Sequence, residues 1–108
     1  MPRHGLAPLL SVALLLGACE SDRYRWNLTH AYAVPQTHLS RADFAQIVRT
    51  VTHACVDPIG QVEPLPSVAG HRRVSVDAES PTGPVTFFVL EQSAGSWHII
   101  DHEQSLDR

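Results

Sequence analysis

Apolar and polar positions change rhythm twice along this chain, at Cys19 and again near Leu39. From Leu6 to Leu16 the residues are apolar except for Pro8 and Ser11, a run about half the length of the ~20 residues a membrane-spanning helix needs. The Met1 amine and Arg3 precede it, giving the positive start and short apolar core of a secretory targeting segment. Residues 1–18 are therefore read as a segment to be removed. Beyond Cys19, Tyr24, Trp26, Leu28, His30 and Tyr32 alternate with Arg23, Arg25, Asn27, Thr29 and Ala31, and this period of two predicts a strand or extended arm. Residues 19–38 are accordingly expected to form a tether. Its aromatics either dock on the domain or place Tyr24 and Trp26 at the headgroup level that amphipathic rings prefer; Tyr24, Trp26 and Tyr32 are the candidate interaction residues of the arm.

The period becomes helical over Leu39 to Cys55. Phe44, Ile47, Val48, Val51 and then Ala54 or Cys55 make an apolar stripe. Ser40 is placed to cap it, with Asp43 as the reciprocal partner of a capping box and Leu39 stapled to Phe44. Asp57-Pro58 ends it, because proline disfavours helical geometry in the residue before it. Four β-prone stretches follow, Ile59–Leu65, Arg72–Ala78, Pro84–Gln92 and Trp97–Glu103, separated by "PSVAG", "ESPTG" and "SAGS". Connections this short favour antiparallel neighbours. The expected fold is α+β, one helix packed on a four-stranded antiparallel meander, occupying residues 39–104 with a polar tail at 105–108. Val74, Val76 and Ala78 alternate with polar residues and give their strand one wet face. "PVTFFVL" is apolar on both faces and reads as a central strand, whereas Pro64 and Pro66 place the first strand at an edge. Phe87, Val89 and Ile100 are expected beneath the helix.

Composition narrows the functional classes. A chain of 108 residues suits one small domain. From Cys19 onward eleven acids face seven arginines, the opposite of the clustered basic surface that nucleic acid requires. Cys19 and Cys55 are the only cysteines, which excludes the disulfide framework of a small secreted scaffold.

The four residues Leu16-Gly17-Ala18-Cys19 resemble the lipobox of bacterial lipoproteins, in which the cysteine receives a diacylglyceryl group and becomes the first residue after cleavage. The resemblance implies a membrane anchor at Cys19, with Leu16, Gly17 and Ala18 read by the signal peptidase. Glu20 stands where an Asp tends to retain such proteins at the inner membrane, so the pattern implies the outer membrane, facing the periplasm. One acyl chain anchors only reversibly, and two or more hold stably. In a second resemblance, "LSRADFAQIVRTV", "DPIGQV" and "VTFFVLEQSAGSWHIID" look like the end of small NTF2-like or cystatin-like secreted domains, where a helix precedes a curled antiparallel sheet. The helices that lid the pocket of a full NTF2-like domain are missing from the pattern.

Residues in a pattern that chemistry requires are few. His98 and His102 on a regular strand share one face with Ile100 between them, about 13 Å apart at ~3.3 Å per residue, too far for one metal ion. In the same reading Asp101 and Glu103 share the other face with Trp97. Cys55 becomes the only free thiol once Cys19 is acylated, and His53, two residues away, falls on a different helix face. It reads as a buried helix-end cysteine. No G-x-S-x-G, phosphate loop or HExxH is present. The sequence leads to an envelope lipoprotein with a non-catalytic interaction or maintenance domain, no catalytic residues, no cofactor or metal, and a membrane and an envelope protein as its partners. The alternative is a small ligand-binding or enzymatic domain with an open pocket, and a third reading has the aromatic arm completing another protein's sheet by strand addition.

Overall fold

A computed structural model describes residues 19–105, so residues 1–18, expected above to be a targeting segment and including Leu16, Gly17 and Ala18, and the last three residues lie outside the described residues. The elements run α1 (Glu20–His30), β1 (Tyr32–Ala33), a 3₁₀ turn (Pro35–Thr37), α2 (Arg41–Ala54), β2 (Ile59–Val68), β3 (His71–Glu79), β4 (Val85–Ser93) and β5 (Ser96–Ser105). The sheet order is β1-β2-β3-β4-β5. β2 to β5 form the antiparallel meander, and β1 adds two residues parallel to β2, Tyr32 opposite Gln61 and Ala33 opposite Val62. The architecture is α+β as expected, with a second helix and a fifth strand.

The second helix overturns the extended arm. α1 turns the residues at 23, 24, 27, 28 and 31 inward at helical spacing; Tyr24, Leu28 and Ala31 pack against the core and Asn27 is 2% exposed. Asn27 Nδ2 donates to Thr52 Oγ1 at 2.9 Å on α2, and its Oδ1 accepts the Ile59 N–H at 3.1 Å from β2. One amide thus ties three elements together. The Arg49 guanidinium adds a second link, 4.0 Å from the centre of the Tyr24 ring.

α2 forms as its pattern predicts. Ser40 Oγ accepts the Asp43 N–H at 3.0 Å, satisfying one of the unpaired donors of the first turn. The Asp43 carboxylate does not return to Ser40 but meets Arg72 Nη1 at 3.6 Å and Gln92 Nε2 at 3.5 Å. Ile47, Val48 and Val51 are fully buried against Val62, Val74, Val76, Ala78, Phe88, Leu90 and Trp97. Both helices therefore cover the same face of the sheet.

That face is not the one holding Phe87, Val89 and Ile100. Register puts Phe87 opposite Asp77 and Glu103, and Val89 opposite Ser75 and Asp101, so both lie on the uncovered face and Phe87 is 38% exposed. "PVTFFVL" is internal to the sheet but covered on one side only. In β5 the pairings pass from Leu90↔Ile99 to Val89↔Asp101, leaving Ile100 as an extra residue, 44% exposed. Such a bulge shifts the alternation by one. As a result His98 and His102 lie on opposite faces, and Asp101 and Glu103 do not share a face with Trp97. Ser105 belongs to β5, opposite Val85, and not to a tail.

Two hairpins close on Ala69-Gly70 and Ala94-Gly95, with φ of 53° and 80° in the first and 51° and 78° in the second. Two central residues at positive φ are what a type I′ turn requires, and alanine is the unfavourable occupant. Replacing Ala94 by Asn is expected to stabilise the domain by about 0.5–1 kcal/mol, raising the melting temperature by roughly 2–6 °C. An unchanged or lower melting temperature would show that this turn is not strained.

Candidate functional site

The base of α1 is where the sequence motif meets the fold. Cys19 is exposed at the N-cap, and its carbonyl accepts the N–H groups of Asp22 at 3.1 Å and Arg23 at 3.2 Å. Among the described residues its Sγ hydrogen-bonds only to neighbours, Asp22 Oδ2 at 3.3 Å and Ser21 Oγ at 3.5 Å. The thiol is thus reachable and holds no core contact. Glu20, the next residue, accepts from His53 Nδ1 at 2.9 Å, fixing the first turn of α1 to the last turn of α2. Glu20 and Asp22 also place negative charge at the positive end of the helix.

The candidate interaction residues divide. Tyr24 faces inward under Arg49, Trp26 is 37% exposed, and Tyr32 is 52% exposed on β1. Trp26 stacks on His30 with ring centres 3.9 Å apart, and the exposed stripe Ser21, Asp22, Arg25, Trp26, Thr29, His30 follows helical spacing. With Asn27 buried and its backbone in a helix, this segment is not available to join another protein's sheet. The strand-addition reading ends there.

Cys55 is half-buried at the C-cap of α2 and lines a cavity of about 340 Å³ with Ala54, Thr86, Phe88, Ile99 and His102. Burial pushes its thiol up from the ordinary range; the Asp57 carboxylate, 3.7 Å away, adds to this, and the Asp57 backbone N–H and Arg23 charge offset part of it. A nucleophile needs the reverse shift. With the folded-state value raised, less thiolate is present at any given pH than in the unfolded chain. Alkylation of Cys55 by iodoacetamide at pH 8 should therefore be slower in the folded protein than in urea, and should approach the unfolded rate only as pH climbs through the folded-state value. Equal rates at pH 8 would contradict this.

Two other clefts are open and are not lined by Cys55. One of about 460 Å³ is lined by Pro58, Ile59, Gly60, Glu79, Ser80 and Pro81; the other, about 330 Å³, lies beside Thr37, His38 and Arg72. In the second, Arg72 Nη2 donates to the Thr37 carbonyl at 2.8 Å and its guanidinium lies 5.7 Å from the Trp97 ring centre. Arg72 is thereby committed to holding the 3₁₀ turn and α2 on β3. Among the described residues, no three of His, Cys, Asp and Glu come together as a metal-binding set, and no helix is long and apolar enough to cross a membrane.

The fold and the Cys19 geometry define a class, a small α+β domain in which the first helix of the described residues starts directly after an exposed cysteine. No family model, curated protein or solved structure matches the chain.

Proposed function

We propose that this protein is a lipid-anchored module of the bacterial cell envelope, with a diacylglyceryl group on Cys19 and a domain that works by protein interaction or envelope maintenance and not by catalysis. The observation that carries this reading is the exposed Cys19 at the end of Leu16-Gly17-Ala18-Cys19, its thiol free of core contacts. A thiol in that position can be alkylated without disturbing the fold. The helix beginning at the next residue supports the same reading, because acylation of the freed amine removes a positive charge from the positive end of the α1 dipole.

The anchor leaves little spacing. α1 holds the domain within a turn of Cys19, so in this reading the protein lies against the bilayer with the Trp26–His30 stack near the headgroups, where tryptophan is favoured. Glu20 after the cysteine favours the outer membrane, facing the periplasm. Replacing Cys19 by Ser should leave an uncleaved precursor or a protein released from membranes. Cleavage and attachment like those of the parent chain would refute the proposal.

A further inference from the structure

With both helices on one side, the central part of the opposite face of β2 to β5 is uncovered among the described residues, Val85 at one end of it being buried. Three rows cross it. Asp77, Phe87 and Glu103 form one; Glu63, Ser75, Val89 and Asp101 the next; Leu65, Arg73, Glu91 and His98 the third. Phe87 is exposed, Val89 and Leu65 are half-buried, and the bulged Ile100 is exposed beside Val89. An apolar centre is thus bordered by carboxylates. The one arginine of this face among the described residues, Arg73, is already engaged, donating from Nε to Glu91 Oε2 at 2.9 Å, with its Nη2 2.8 Å from the same oxygen. Asp77 accepts the Gln61 N–H, and Glu63, Asp101 and Glu103 have no basic side chain opposite them.

We infer that this face is a docking surface for a cationic amphipathic segment, a stretch of another protein with an apolar stripe flanked by lysines or arginines. The charge pattern selects the occupant. A second copy using the same face would bring carboxylate against carboxylate, and juxtaposed like charges disfavour such pairing. An anionic lipid surface is repelled for the same reason, which suits a face on the opposite side of the sheet from α1. The β5 edge of the sheet offers a poorer site: Gln46 Oε1 accepts the Trp97 N–H at 2.8 Å, Asp101 Oδ1 accepts the His102 N–H at 2.8 Å, and the Ile100 bulge interrupts the ladder; at the other edge β1 covers Gln61 and Val62 of β2, and Pro64 and Pro66 beyond them have no N–H to offer. Such devices blunt edge pairing and leave the face as the surface on offer.

The inference rests on reading the domain as an interaction module and not on the lipid, so its test is separate from that of Cys19. The full chain, reconstituted in phosphatidylcholine nanodiscs with empty discs as the blank, is titrated with a fluorescent Leu/Lys amphipathic helical peptide and with its Leu/Glu counterpart. Binding of the Leu/Lys peptide should be weakened by added salt and exceed that of the Leu/Glu peptide by about tenfold or more. Phe87→Ser with Ile100→Ser should weaken it about tenfold. Glu63→Gln, Asp101→Asn and Glu103→Gln together should weaken it to a similar degree and remove most of the salt dependence, and this surface triple keeps the test valid should the apolar variant fail to fold. Equal affinity for the two peptides, or parental binding by the triple variant, overturns the inference. So does self-association through this face, or exclusion of the peptide by residues 1–18 of the chain itself.

Discussion

Replacing Asn27 by Leu is expected to cost about 2–3 kcal/mol of unfolding free energy and on the order of 10–20 °C in melting temperature. Leucine fills a similar volume, so the loss is one of polar pairing. It strands the Ile59 N–H that donated to Asn27 Oδ1 and the Thr52 hydroxyl oxygen that accepted the Asn27 Nδ2–H, both in the interior. An unpaired buried donor forfeits its solvation with nothing in return. Thr52→Val removes one end of the same network, and the double variant should cost less than the sum of the singles by about 0.5–1.5 kcal/mol. Thermal and urea unfolding of the four proteins measures this. If residues 20–30 were a loose tether, Asn27→Leu would fall within about 0.5 kcal/mol of the parent, as surface changes do.

The same residue explains what could and could not be read from the sequence. α2 was legible because its signals are local and agree: a serine cap, an apolar stripe at helical spacing and a proline stop. β2 to β5 were legible within two or three residues at each end, from alternation and from Gly-containing turns. α1 was hidden because its inward positions include Arg23 and Asn27, which break the stripe, while its aromatics are split between an inward Tyr24 and an outward Trp26. That split imitates a period of two. Only the hydrogen bonds to Thr52 and Ile59, 25 and 32 residues away, make a buried asparagine acceptable there.

Face assignment failed in β5 for a different reason. The Ile100 bulge adds one residue to one strand, and every side chain beyond it changes sides. On β4, Phe87 and Phe88 are adjacent and equally apolar, so the alternation carries no mark of which is covered; the helices decide in favour of Phe88, which is 6% exposed. The two-residue β1 is likewise a product of where α1 ends. The proposed anchor motif, Leu16-Gly17-Ala18-Cys19, is a short linear segment that needs no fold to be noticed, whereas the acidic apolar face exists only once the strands are in register.

The second large effect concerns Cys19. If it carries the lipid, its loss should change the fate of the whole protein while the domain keeps its stability, because among the described residues the thiol hydrogen-bonds only to Asp22 and Ser21. Cys19→Ser should therefore melt within about 0.5 kcal/mol of the parent and yet lose its lipid-based attachment, persisting as an uncleaved precursor or leaving the membrane, since stable lipid anchoring depends on two or more chains at about 0.8 kcal/mol per buried CH₂. A variant that unfolds would assign Cys19 a structural role in place of an anchoring one. Cys55→Ser, by contrast, should leave membrane attachment as it is.

The most direct measurement is the mass of the N-terminal peptide of the protein isolated from cell envelopes. The account predicts a chain starting at Cys19, with a diacylglyceryl thioether on its sulfur. A free Cys19 thiol, or a chain that begins at any other residue, would contradict it.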